Sequence, residues 1–489
     1  MSTLAAKQLH REALVTLREY AAGAFSRAAG APLVHGNKVK LLRDATENYP
    51  AWLQAIGTAT RTIHFESYII HADDIGQQFR EALAAKAREG VRVRLIYDWL
   101  GSMRHAPHRF WTSLRRAGIE VRCFNPPRLD SPMGWLRRDH RKMLSVDGRV
   151  GFVSGLCVGR RWVGRPEQGI EPWRDTGVEI TGPAVTDLED AFAHMWALLG
   201  VPIPVADLVG ESNRTVGDVA LRVVASYPNM AGLYRFDQLI AALAQRSIWL
   251  ADAYFLGTAP YLQALRGAAL DGVDVRLLLP QASDVPIVRS LSRTGYRTLL
   301  EAGVRIFEWN GPMMHAKTAV ADGRWTRVGS TNLNLASWLG NWELDVVAED
   351  ESFAEEMEKM YLEDLARSTE IVLSTRKVRA AGPRPPRPRG KGIAQGSARS
   401  AVTSLMRVGN TVGAAITSRR ALGPAEIVVM VTVAALLLGM VLMVVVWPLV
   451  IVVPAVIFML WIAVSLLIRA LRLHATQRAA KASNEDESG

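Results

Sequence analysis

The sequence predicts a duplicated α/β protein with a transmembrane helical hairpin near its C-terminal end. Three observations lead there. Strand and helix patterns alternate over residues 33–370 and recur after about 180 residues. The pattern H-x-K-x4-D occurs late in each repeat, as His140/Lys142/Asp147 and as His315/Lys317/Asp322. Finally, the 42 residues from Ile427 to Ile468 contain no charged side chain.

In the first repeat the pattern predicts a strand over 63–70, a helix over 75–88, and a strand over 91–97 after a stop at Gly90. The second repeat predicts a strand over 247–255, a helix over 259–269, and a strand over 273–279 after Gly272. Each repeat continues through Ala-Gly, at Ala117-Gly118 and Ala302-Gly303, into another strand and then its motif. The expected boundaries are an N-terminal amphipathic helix over 1–32, a first half over 33–205 and a second over 206–375. A basic Pro/Arg linker with an interfacial helix follows over 376–420, then the hairpin over 421–472 and a polar tail over 473–489.

A single helix of 42 residues would be about 63 Å long at 1.5 Å per residue. A bilayer core is about 30 Å thick, so two spans fit the length and one does not. Proline disrupts helix interiors, so the turn is expected near Trp447-Pro448. Arg419 and Arg420 precede the run, and Arg469 and Arg472 follow it. Positive flanks on both sides place both ends in the cytoplasm. Lys+Arg exceeds Asp+Glu by 58 − 47 = 11. From Arg376 to Arg420 there are eleven Lys/Arg and no acid, so the rest of the chain is near neutral. That distribution argues against a surface built for nucleic acid and for a tether near anionic lipid. Two cysteines, Cys123 and Cys157, imply no disulfide framework.

Within each motif, His and Lys stand two apart, and on a strand such residues share one face. Imidazole supplies a nucleophile or an acid, and ammonium neutralises phosphate oxygens. A cation beside each imidazole opposes metal binding, so no metal is expected. Ten residues after Asp322 comes Asn332, in Gly329-Ser330-Thr331-Asn332, and ten after Asp147 comes Cys157. Asp175 and Glu343 follow the two motifs, and a carboxylate on one imidazole nitrogen leaves the other to react. Trp99, Trp111, Trp135 and Trp162 are open to two readings, an acyl-chain groove or ordinary packing.

These motifs resemble bacterial cardiolipin synthases of the phospholipase D superfamily, over about residues 35–370. Further shared stretches are Gly36-Asn37, Glu66-Ser-Tyr-Ile-Ile and Gly90-Val-Arg-Val-Arg. The resemblance implies a pseudo-two-fold pair of phospholipase D-type α/β/α layered domains with the site at their seam. It also implies a phosphatidyl-histidine intermediate and neither metal nor other cofactor. His140 would be the nucleophile and His315 the acid. Lys142, Lys317, Ser330 and Asn332 would hold phosphate, Asp175 and Glu343 would orient the histidines, and Asp147 and Asp322 would support the fold. Cys157 stands at the matching phosphate-holding position of the first half, where the family has asparagine; a thiol is a weak donor, so that contact would be weakened or moved to backbone. Asn334 stands where relatives often have aspartate.

The expected function is synthesis of cardiolipin from phosphatidylglycerol at the cytoplasmic face of a bacterial inner membrane. The rivals are a phospholipase D that uses water, a membrane-tethered nuclease, and a scaffold with a decayed site.

Overall fold

Buried runs such as Thr62-Ile-His-Phe-Glu-Ser67, with every residue covered, make strands that lie between two layers rather than on a wet face. A computed structural model describes residues 23–127, 137–208, 214–374 and 377–380, with helical positions at 435, 438, 439, 453, 456–464 and 467. The chain divides into two compact units, Met1–Pro126 with Leu136–Pro383, and Pro127–Trp135 with Arg384–Gly489.

The first unit holds one sheet in which the duplication is explicit. The first half contributes β1 (Val34–Arg43), β2 (Thr62–Ser67), β3 (Arg92–Asp98), β4 (Glu120–Phe124), β5 (Lys142–Val146), β6 (Val150–Ser154) and β7 (Thr176–Thr181). The second contributes β8 (Val219–Ser226), β9 (Ser247–Ala251), β10 (Asp274–Pro280), β11 (Arg305–Trp309), β12 (Thr318–Ala321), β13 (Trp325–Gly329) and β14 (Glu343–Glu349). Two further strands are β15 (Ser368–Ser374) and β16 (Lys377–Ala380). From the centre outward the first half runs β1-β7-β6-β5-β2-β3-β4, and the second runs β8-β14-β13-β12-β9-β10-β11 followed by β15 and β16. Strand for strand the two orders match, and β1 pairs antiparallel with β8 where they meet. β2, β3 and β4 are parallel, as are β9, β10 and β11.

The crossover helices begin and end where local chemistry dictates. Asp73 caps the helix Asp74–Arg88 by accepting from the Gly76 N–H at 3.0 Å. Gly90 (φ 91°) follows it, and Gly272 (φ 94°) follows the helix Ala259–Leu270. Both occupy the left-handed conformation that costs a glycine least. The helix Val185–Leu198 buries Leu188, Phe192, Met195 and Trp196. The helix Glu351–Ala366 buries Phe353, Met357 and Met360. These side chains share one core with Val178 and Ile180 of β7 and Leu344 and Val346 of β14. At roughly 1.5–3 kcal/mol per buried side chain of this size, the shared core welds the halves into one body.

Two expected strands end early. The strands expected over 63–70 and 247–255 end at Ser67 and Ala251. Beyond them Ile70 makes only a single bridge to Val158, and Asp252 turns the chain by accepting from the Tyr254 N–H at 2.9 Å. β16 pairs with β15 past the expected linker boundary at 375. Among the described residues no helix is long and apolar enough to cross a membrane. Most of the 421–472 segment lies outside those residues, as do 381–420 and 473–489. Of the expected N-terminal helix, residues 23–29 are described and helical, and Phe25 and Ala29 pack with Val224, Leu233 and Phe236.

The motif aspartates have a clear structural task. Asp147 (φ 56°) sits in the turn between β5 and β6, and Asp322 (φ 53°) in the turn between β12 and β13. The Asp147 carboxylate accepts from the Thr60, Arg61 and Thr62 N–H groups at 2.9, 2.7 and 2.9 Å, at the start of β2. Asp322 does the same for Gln245, Arg246 and Ser247 at the start of β9, at 2.9, 2.8 and 3.0 Å. Burial pushes the Asp147 pKa up, but its hydrogen bonds to Thr62, Arg61 and Thr60 outweigh burial and hold it below the ordinary value. Its contribution to stability is therefore present at neutral pH and lost as pH falls through that depressed value. Asp147→Ala strands three backbone donors and should destabilise the protein by about 2–4 kcal/mol, with Asp147→Asn milder. Urea unfolding of the full chain checks this; a loss below about 1 kcal/mol would contradict it.

Candidate active site

Each histidine enters the site just ahead of its strand, not within it. β5 begins at Lys142 and β12 at Thr318. The reason lies in the backbone pairing. The His140 N–H donates to the Trp342 carbonyl at 2.9 Å, and the Trp342 N–H donates to the Arg138 carbonyl at 2.8 Å. Correspondingly, the His315 N–H donates to the Arg174 carbonyl at 2.7 Å, and the Arg174 N–H donates to the Met313 carbonyl at 2.9 Å. Both histidines thus pair with the other half, against the residue that precedes its carboxylate.

The side chains cross in the same way. Glu343 Oε2 lies 2.9 Å from His140 Nδ1, and Asp175 Oδ2 lies 2.6 Å from His315 Nδ1. An ionised carboxylate only accepts, so each Nδ1 carries the proton and each Nε2 keeps its lone pair. All four side chains are buried. Burial pulls the His140 pKa down to about 4, with Lys142 and Lys317 adding to the effect against the pull of Glu343. His315 is lowered for the same reasons, burial first and Lys317 next.

The lysines follow the histidines inward. Lys142 Nζ donates to the His140 carbonyl and Lys317 Nζ to the His315 carbonyl. Both ammonium groups are buried. Burial, with repulsion from Lys142, lowers the Lys317 pKa to about 8. Two buried ammonium groups beside the histidines favour binding of an anion there. Among the described residues no cluster of three or more His, Cys, Asp or Glu is placed to hold a metal.

Two buried arginines fix the crossing. Arg141 donates to the carbonyls of Glu343 at 3.2 Å, Ala191 at 3.1 Å and Ser226 at 3.4 Å. Arg174 donates to the Asp364 carboxylate at 2.8 Å and to Asp44 at 3.0 Å. Each arginine therefore ties the two halves together beside one histidine pair.

The other expected residues divide. The Ser330 hydroxyl donates to Glu343 Oε2 at 2.6 Å and accepts from the Leu344 N–H at 2.9 Å, so it is engaged with the carboxylate. Asn332 is buried, and its Oδ1 makes no hydrogen bond. Cys157 packs in the first-half core with Leu156, Val158 and Trp162, and burial raises its thiol pKa. Asn334 forms an isolated bridge with Leu256 and donates to the Tyr254 carbonyl at 2.9 Å. Asp147 and Asp322 lie at the hairpin turns already described, with their carboxylates on backbone.

Aromatic residues stand beside both histidines, and the two tyrosines among them are not motif residues. The Tyr68 ring is 4.9 Å from His140, and Lys142 Nζ is 5.2 Å from it. Tyr254 stands 6.0 Å from His315 and 6.0 Å from Lys317 Nζ. Their signal in the sequence was a shared offset, two residues after Glu66 and two after Asp252. Trp162 and Trp173 flank His315 at 5.7 and 5.5 Å.

The chain is similar to known proteins in sequence and in fold. The profile of the cardiolipin synthase, PLD-like domain matches residues 52–196 and 238–365, one segment in each half. The chain is 36% identical over 351 residues to cardiolipin synthase A of Pseudomonas fluorescens, covering 70% of this chain and 71% of the relative. It is 35% identical over 354 residues to the cardiolipin synthase of Alkalihalophilus pseudofirmus, covering 71% and 70%. The fold resembles a phosphatidylserine synthase of Haemophilus influenzae, with a TM-score of 0.57 at 14% identity over 71% of this chain and 91% of that one. With one histidine-lysine motif in each half and each histidine paired to a carboxylate of the other half, the chain belongs to the cardiolipin synthase family of phospholipase D-like proteins.

Proposed function

We propose that the protein is a phosphatidyltransferase that makes cardiolipin and glycerol from two phosphatidylglycerols. The observation that carries the reading is the pair of crossed histidine–carboxylate contacts beside two buried lysines. His140 Nε2 attacks phosphorus, and the bond from phosphorus to the glycerol oxygen breaks. His315 gives that oxygen its proton; the bound phosphodiester's negative charge raises the His315 pKa and favours the protonated form. The phosphatidyl group is then held on His140. Now neutral, His315 takes the proton from the hydroxyl of the second lipid. That oxygen attacks phosphorus, the bond from phosphorus to nitrogen breaks, and His140 is restored. Lys142, Lys317 and Asn332 hold the phosphate oxygens, while Ser330 steadies Glu343. With water as acceptor the product would be phosphatidic acid.

The anchor belongs to the same proposal. Residues 456–464 are helical and uncharged, and Ile457, Met459 and Leu460 are 61%, 60% and 59% exposed. Apolar exposure of that extent favours lipid as the surrounding medium. We place the hairpin in a bacterial inner membrane with both ends and the catalytic body on the cytoplasmic side.

Labelled phosphatidylglycerol in vesicles should yield cardiolipin; phosphatidic acid as the main product would reassign the protein as a hydrolase. His140→Ala and His315→Ala should each abolish turnover, and the His315 variant should accumulate a lipid adduct on His140, read by intact mass. An adduct on His315 in the converse variant would reverse the roles.

The pH dependence follows from the burial shifts. A p-nitrophenyl phosphodiester needs no proton on its leaving group, so its kcat/KM reports the nucleophile and the lysines. The rate should fall as pH drops through about 4, where His140 gains a proton, and as pH rises through about 8, where Lys317 loses one. An acid limb near the ordinary histidine value of about 6.5 would mean that His140 is not the desolvated nucleophile.

Truncation after Thr375 should leave phosphodiesterase activity on a soluble ester but remove most of the protein from the membrane fraction. Unchanged membrane association of that truncated chain would place the anchor elsewhere.

A further inference from the structure

The two carboxylates that orient the histidines are themselves held by different chemistry. Glu343 takes a hydroxyl hydrogen bond from Ser330 at 2.6 Å and an amide hydrogen bond from Asn341 Nδ2 at 3.2 Å. At the place equivalent to Ser330 the first half has Gly155. A Cβ there would come within 2.1 Å of Asp175 Oδ1, so the shorter acid fills the space that a side chain would need. Asp175 receives its side-chain donor from elsewhere. The Trp162 indole N–H donates to Asp175 Oδ2 at 3.0 Å, and this is the oxygen that faces His315 Nδ1.

Trp162 is 1% exposed and packs edge-on to both His315 and Trp173, with ring centroids 5.7 and 5.2 Å away. Its N–H therefore has no access to water in exchange, and a buried indole donor requires an acceptor. The remaining oxygen, Oδ1, accepts from the Thr176 N–H at 2.9 Å. With both oxygens anchored, the carboxylate cannot rotate away from the imidazole. Asp175 stays below its ordinary pKa although burial pushes it up, because His315 and Lys317 outweigh the burial.

We propose that Trp162 is a positioning residue for the acid–base histidine, acting through Asp175 to hold the His315 ring with Nε2 toward the leaving oxygen. The proposal rests on the reading of His315 as proton donor, and it predicts that Trp162 matters in proportion to the proton the leaving group needs. The test compares phosphatidylglycerol with phosphatidyl-p-nitrophenol, using the full-length protein in detergent–lipid micelles. Trp162→Phe keeps a ring and removes the donor. Its turnover of phosphatidylglycerol should fall about tenfold to a hundredfold, as loss of a hydrogen bond to a buried charge implies. Adduct formation from the p-nitrophenyl ester should change by less than about twofold, because that leaving group needs no acid. Trp162→His places a ring nitrogen where the indole nitrogen was, at the cost of packing, and should recover part of the phosphatidylglycerol rate relative to the phenylalanine variant. Equal losses on both esters, or no loss on phosphatidylglycerol, would overturn the proposal, as would a histidine variant no better than phenylalanine. Intact mass of the wild-type adduct separates the two levels of the argument. A label on His315 would overturn the role assignment, and the proposal with it, whatever the Trp162 variants do.

Discussion

Everything in the catalytic body depends on one exchange. Each histidine reaches across the seam for its carboxylate, His140 to Glu343 and His315 to Asp175. The backbone makes the same exchange, through Trp342 and Arg174. Neither half therefore contains a complete acid–base pair. The shared core under β7 and β14, the central β1–β8 pairing and the two buried arginines all keep that exchange in register. Leaving a buried charge without its partner costs about 3–5 kcal/mol, so a seam that opened would unpair the site before it unfolded the sheet.

Within this frame the site is nearly symmetric in position and unequal in surroundings. Both histidines are desolvated beside a lysine, both lysines face a tyrosine, and both carboxylates stay ionised although buried. Burial is what favours the neutral form of both imidazoles. It is also what makes the lysines effective, since charge interactions strengthen as water is excluded. The inequality lies in the supports, a hydroxyl and an amide for Glu343, an indole and a backbone N–H for Asp175. Two steps of opposite proton demand can be divided between histidines that differ in this way.

Much of this is legible in the amino-acid sequence. The repeat, the helix stops at Gly90 and Gly272, and both motifs follow from local pattern, because strand alternation and left-handed glycines leave a trace in neighbouring residues. The choice of partner did not. Asp175 follows His140 in the chain and Glu343 follows His315, yet each serves the more distant histidine, a consequence of sheet order that no offset encodes. Likewise, His140 and His315 were expected on strands, but their pairing with Trp342 and Arg174 holds them outside the ladders. Trp162 was one of several tryptophans open to two readings, since the geometry that gives it a role depends on the missing side chain at Gly155. Tyr68 and Tyr254 shared an offset, but their task is visible only beside the lysines.

The place of Gly155 has a consequence for how such a chain can change over generations. A glycine opposite an aspartate and a serine opposite a glutamate are two solutions to one spatial problem. A side chain added at Gly155 would displace Asp175, and loss of the Ser330 hydroxyl would leave Glu343 without its shortest support, so neither position can change without consequence for its companion. Because each couple sits in one repeat and serves the histidine of the other, inheritance of a working site links the two repeats. A change to one repeat at these positions is therefore felt at the histidine of the other.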